Sequence, residues 1–179
     1  MLHTVVSYLR MVLPFIYIIC TWRFADWRNW RKYYPTILFI ISVDFFISVL
    51  MYEYPLWTFR GSLIITNHTI ADFFLTFIMF PNLTLLYLSL YPYQSHLPKQ
   101  ALYIGSWFIF EVMMEYLFRS ANLISYTHGW NYGWSCVVWL FLFIGLRLHY
   151  TRPLWAWVLC FVCSAFLILY FQIPVTKFR

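Results

Sequence analysis

The chain has 179 residues, of which 63% are hydrophobic, 25% aromatic and only 10% charged, whereas globular domains average about half apolar and about a quarter charged. That composition excludes an ordinary soluble fold and makes the bilayer its solvent. The formal charge of +6 would suggest nucleic acid on a polar fold. Here the basic residues stand at the ends of apolar runs, where they meet lipid headgroups, so nucleic acid is not the expected partner.

Apolar runs at about 5–22, 36–53, 69–91, 101–118, 133–149 and 153–173 each approach the roughly 17–25 residues that cross a hydrocarbon core. They predict an all-α integral membrane helical bundle of six transmembrane helices, a single transmembrane domain over 1–179. The first run contains Arg10 and Pro14. If it lies in the interface, continuing through Trp22, Trp27 and Trp30, the count falls to five. No small-residue cleavage site follows it, so it is read as a mature segment.

The next segment, 23–35, carries Arg23, Arg28, Arg31 and Lys32 against Asp26. This densest positive cluster is expected on the cytoplasmic side, with Lys99 and the Arg147/Arg152 turn. Arg60, Arg119, Lys177, Arg179 and the C-terminus then fall outside. Tyr34-Pro35, Tyr54-Pro55 and Tyr91-Pro92 stand at run edges, where proline starts or stops a helix and tyrosine suits the interface. Pro81 lies inside the third run and predicts a kink, with Asn82 or Thr84 satisfying freed backbone groups. Asn67-His68-Thr69 and Asn82-Leu83-Thr84 fit the glycosylation pattern, but neither needs that explanation. Cys20, Cys136, Cys160 and Cys163 all fall in apolar runs and read as small buried hydrophobes. No internal repeat, low-complexity tract or cofactor motif stands out.

The functional signal is in the acids. Asp44, Asp72, Glu111 and Glu115 lie within apolar runs, where a carboxylate costs about 2.5–3.5 kcal/mol on insertion scales. They are expected to be protonated, paired or turned to a polar interior. Helical spacing places Glu111 and Glu115 on one face, and likewise Glu115 with Arg119 and His68 with Asp72. Depth along the runs gives an inner tier of Asp44 and Glu111. The outer tier holds His68, Asp72, Glu115 and Arg119, with Asn122, Tyr126, His128 and Asn131 in the loop beyond.

Three functions compete for this pattern. The carboxyl groups could bind a proton, a small cation or a small polar solute in a pocket near the outer face, in which case Asp72, Glu111 and Glu115 converge on a cavity open to the outside. They could instead be structural, with Glu115 paired to Arg119 and the bundle held in register for stability or for a partner. Last, His68, Asp72, Glu115 and His128 could hold a metal in an intramembrane hydrolase, although His-x-x-x-Asp and Glu-x-x-x-Glu spacings are common on helices. The loop SYTHGWNYGW reads as an aromatic belt, or as a lid whose glycines permit tight turns. Arg147, His149 and Arg152 read as an anchor to anionic headgroups.

The phrases YYPTILF, the run ending YEYPLW, NHTIADFFLTFIMFP, the closing LYP, the glutamates before ISYTHGWNYGWS, and LRLHYTRPLWAW occur together in this chain. From about Tyr33 onward they resemble an uncharacterised family of small multi-pass membrane proteins common in endospore-forming bacteria. The resemblance implies a bacterial plasma membrane or spore membrane setting. It implies no activity, cofactor or catalytic residue.

Overall fold

The computed structural model describes residues 2–61 and 67–174; Lys177 and Arg179 lie outside them. Six helical rods run between two ends of a bundle. α1 (Leu2–Phe24) leads through a 3-10 turn (Trp27–Lys32) to α2 (Tyr34–Leu50). The third rod is α3 (His68–Phe74), a π turn (Leu75–Met79) and α4 (Phe80–Ser89). α5 (Leu97–Ser120), α6 (Tyr132–Thr151) and α7 (Pro153–Tyr170) complete it.

Five rods, His3–Phe24, His68–Ser89, Leu97–Ser120, Tyr132–Thr151 and Pro153–Tyr170, are long and apolar enough to cross a membrane. α2, at 17 residues, is the short one. It ends at Leu50, ahead of the expected boundary at 53, because Met51 already leaves helical geometry and Glu53, Tyr54 and Pro55 follow. α1 continues through Pro14 and buries Val6, Leu13, Tyr17 and Thr21 at helical spacing. That face packs on α4 and α5, so the helix is built into the bundle over its whole length.

Pro81 has no N–H to give Phe77, and the chain answers with the π turn: the Phe80 N–H reaches back to the Leu75 carbonyl. Asn82 Nδ2 donates to the Ile78 carbonyl at 2.7 Å, one residue beyond the Phe77 carbonyl that the proline leaves without its donor. Among the described residues the hydroxyl of Thr84 has no hydrogen-bond partner. The predicted kink is therefore taken up as a wider turn within a continuous rod.

One end of the bundle carries a small β cap that apolar runs do not forecast. β1 (Trp57–Phe59) and β2 (Ile124–Tyr126) pair antiparallel, Trp57 opposite Tyr126 and Phe59 opposite Ile124. Period-two alternation puts those four apolar side chains on one face and the Thr58–Ser125 pair, 2.7 Å between hydroxyls, on the other. α5 and α7 both end at this cap in the same way. Asn122 and Gln172 adopt left-handed φ of 58° and 54°. The N–H of Leu123 then bonds Phe118 O at 2.9 Å and that of Ile173 bonds Ile168 O at 3.0 Å. Trp130, Met51, Leu56, Phe171 and Ile173 close into a buried cluster beneath.

At the opposite end, Tyr33 stacks on Tyr150 and Arg147 lies 4.9 and 4.8 Å from the rings of Tyr91 and Tyr93. The main core sits between the two ends, around fully buried Tyr87, Leu83, Leu88, Phe143 and Leu146. Because the Asn82 side chain bonds the Ile78 carbonyl within the same rod, Asn82→Ala should lower the unfolding free energy by about 1 kcal/mol, measured by steric trapping in lipid bicelles; Leu90→Ala, at an exposed position, should leave it unchanged.

Candidate functional site

The four carboxyl groups within the helices, Asp44, Asp72, Glu111 and Glu115, fall into two pairs. Asp44 on α2 and Asp72 on α3 form the first. The two helices run antiparallel, and each has a hydroxyl residue four positions after its acid: Ser48 after Asp44, Thr76 after Asp72. The hydroxyl of Thr76 bonds Asp44, and Ser48 Oγ donates to Asp72 Oδ2 at 2.7 Å. Acid and hydroxyl thus cross-pair in two rungs. Thr76 sits in the π turn, and its hydroxyl also lies 2.8 Å from the carbonyl of Asp72.

Glu111 and Glu115 on α5 form the second pair, one turn apart on a shared face. Glu111 is 5% exposed and accepts a hydrogen bond from the hydroxyl of Tyr17 on α1. Glu115 is reached from the cap and from α6: Tyr126 Oη donates to Oε1 at 2.5 Å and Trp139 Nε1 to Oε2 at 2.6 Å. A chain of donors stands behind Tyr126. Trp130 Nε1 donates to Ser135 Oγ at 3.0 Å, which lies 3.4 Å from Tyr126 Oη. Both oxygens of Glu115 thus accept a hydrogen bond.

Arg119 is not the partner of Glu115. Its guanidinium lies 5.3 Å from the Tyr126 ring centroid instead, above the residue that bonds Glu115. The self-contained Glu115–Arg119 pair expected from spacing is therefore replaced by a three-residue stack in which Tyr126 stands between them. Burial first, and then its bond to Glu115, push the Tyr126 phenol well above the usual tyrosine range.

The two histidines go elsewhere. His68 packs its ring 5.5 Å from Phe59, and Arg10, which donates to the Arg60 carbonyl at 2.8 Å, sits 5.4 Å from the same ring. His128, at φ 52°, stacks on Tyr54 at 3.7 Å and its Nδ1 lies 2.8 Å from Pro55 O, where the N–H donates. Among the described residues no group of three or more His, Cys, Asp or Glu side chains is arranged to hold a metal ion. Two surface hollows, against Arg28–Lys32 and along α7, are lined by none of Asp44, Asp72, Glu111 and Glu115.

The expected tiers are thus divided by neighbour and not by depth: Asp72 stands with Asp44, Glu111 with Glu115. Sequence reasoning did not single out Tyr17, Ser48, Thr76, Ser135 or Trp139. Matching four-residue spacings in Asp44/Ser48 and Asp72/Thr76 were available as a signal; nothing local marks Tyr17 or Trp139, which are single polar-tipped aromatics in apolar helices. The loop SYTHGWNYGW folds inward. Gly129, at φ 82°, makes the turn, and Asn131 caps α6 by accepting from Gly133 N at 2.9 Å and Trp134 N at 3.3 Å. A side chain at Gly133 would press on that cap, at 3.0 Å from Asn131 Oδ1.

Because folding keeps the Tyr126 phenol neutral where the unfolded chain ionises it, the protein should lose stability as the pH rises past about 10. Tyr126→Phe should flatten this alkaline limb of a stability-versus-pH profile. The same substitution should shift the Trp139 indole N–H resonance by nuclear magnetic resonance, since Glu115 loses a donor and relies more on the indole. No protein-family model, curated protein or solved structure matches this chain.

Proposed function

We propose that this chain is a six-pass membrane protein whose Glu111–Glu115 pair binds a proton delivered from the outer face. α2 counts as the sixth pass because it starts beside the arginine-bearing end and finishes at the β cap. In this reading the 23–35 turn is cytoplasmic, the cap and C-terminus are external, and the resemblance to membrane proteins of spore-formers supports a bacterial plasma membrane or spore membrane.

The observation that carries the reading is the file of hydroxyls from the cap into the bundle: Ser135, fixed by the Trp130 indole N–H, and Tyr126 lead to Glu115, and one turn deeper Glu111 meets Tyr17. Of the species considered, a proton is the one that needs no cavity. A polar solute needs a pocket of roughly 300–1,000 Å³, and a hard cation needs about six oxygen ligands; the carboxyl groups here are engaged by hydroxyls and indoles. A proton added to Glu115 would displace one of its two donors, and the next acceptor on the same face is Glu111. Asp44 and Asp72, cross-paired with hydroxyls, serve as a second carboxyl pair.

A structural role is favoured by a different aspect of the same bonds: each of the four carboxyl groups bonds to another helix or to the cap, as register-setting polar groups do. Proton uptake separates the two. In lipid nanodiscs with a pH-indicator dye, an acid jump should load about one proton fewer per chain in Glu111→Gln than in the parent, because the substitution removes one proton-accepting carboxyl group. Equal uptake in the two proteins would leave the structural role.

A further inference from the structure

α7 carries a hollow that the carboxyl network does not use. Leu148, Arg152, Trp155, Val158, Leu159 and Val162 line a groove of about 400 Å³. Trp155, Val158, Leu159 and Val162 follow the three- and four-residue spacing of one helix face, and Trp155, Val158 and Val162 are all more than half exposed. Arg152 is the single charged lining residue and closes one end, at the turn between α6 and α7.

Its surroundings leave that charge outward. The Arg152 backbone carbonyl accepts from Trp155 N at 3.1 Å and Ala156 N at 3.3 Å, fixing the turn. The neighbouring cation, Arg147, is occupied by Thr151 at 3.0 Å and by the rings of Tyr91 and Tyr93. From Arg152 to Val162 a helix rises about 15 Å, half of a hydrocarbon core of about 30 Å. The groove is therefore one leaflet deep, cationic at headgroup level and apolar below, with an indole at the boundary where Trp is favoured.

We propose that this groove holds one anionic glycerophospholipid, its phosphate on the Arg152 guanidinium and one acyl chain along Trp155, Val158, Leu159 and Val162. Charge complementarity selects an anionic lipid over a zwitterionic one, and the apolar length selects a lipid over free phosphate. The hollow at Arg28–Lys32 has three cations and a single apolar side chain, Trp30, in place of a helix-long apolar row, so it fits a headgroup without a chain. The site is independent of the proton reading and stands or falls separately.

The test is native mass spectrometry of the full chain released from vesicles of equal phosphatidylglycerol and phosphatidylcholine, counting retained lipid. The parent should retain phosphatidylglycerol about fivefold over phosphatidylcholine, the factor one basic residue is worth at an anionic surface. Arg152→Gln should bring the ratio to about one, while Val158→Trp, which fills the groove, should remove the retained lipid of either kind. An unchanged ratio in Arg152→Gln, or no preference in the parent, would overturn the assignment, and loss of the preference in Arg28→Gln alone would move the anion to the 3-10 turn. Unaltered helical circular dichroism confirms that each variant is folded.

Discussion

Carboxyl groups without neighbouring cations dominate the physics of this bundle. In hydrocarbon a carboxylate that lacks a partner is costly, and among the described residues no basic side chain pairs with these acids; Arg119, one turn from Glu115, lies over the Tyr126 ring instead. The donors are therefore neutral: Tyr17 for Glu111, Thr76 for Asp44, Ser48 for Asp72, Tyr126 and Trp139 for Glu115. Each donor comes from a different element than its acid. The packing of α1 on α5, of α2 on α3 and of the cap on α5 is thereby tied to the protonation and hydrogen bonding of four side chains.

The β cap follows from the same requirement. Glu115 stands near the end of α5, and without the cap its Oε1 would lose the donor that Tyr126 supplies. A ribbon of three residues on each strand is too small to be stable alone, but here it is anchored by the two helix ends that turn over at Asn122 and Gln172, and by the buried Trp130. The cap in turn holds Tyr126 and Ser135 in line. The stabilising contacts and the donor file are one set of atoms, which is why the structural and proton-binding readings grow from the same geometry.

Much of the fold was legible because apolar length is a strong signal in membrane proteins: the six runs match six rods, with ends displaced by a few residues. α2 fell short because Met51 to Pro55 breaks the helix earlier than hydropathy alone suggests. The ribbon was not read, since Leu56 to Phe59 and Leu123 to Tyr126 alternate over too few residues to stand out among long apolar runs. For the site, the acids themselves were legible as rare residues in apolar surroundings, and so was the shared face of Glu111 and Glu115. Their partners were not. Spacing within one helix favoured Arg119 for Glu115, whereas the contact that forms is set by where β2 crosses the end of α5, a property of the assembled bundle.

Proton binding at Glu111, the carboxyl group bonded to Tyr17, is the proposal on which the function rests, and infrared difference spectroscopy of the protein in lipid, acid minus neutral, tests it most directly. A protonated-carboxyl C=O band should appear on acidification, disappear in Glu111→Gln, and move to higher frequency in Tyr17→Phe, where the hydrogen bond is lost. A spectrum whose carboxyl band is indifferent to pH, or is unchanged by both substitutions, would contradict it.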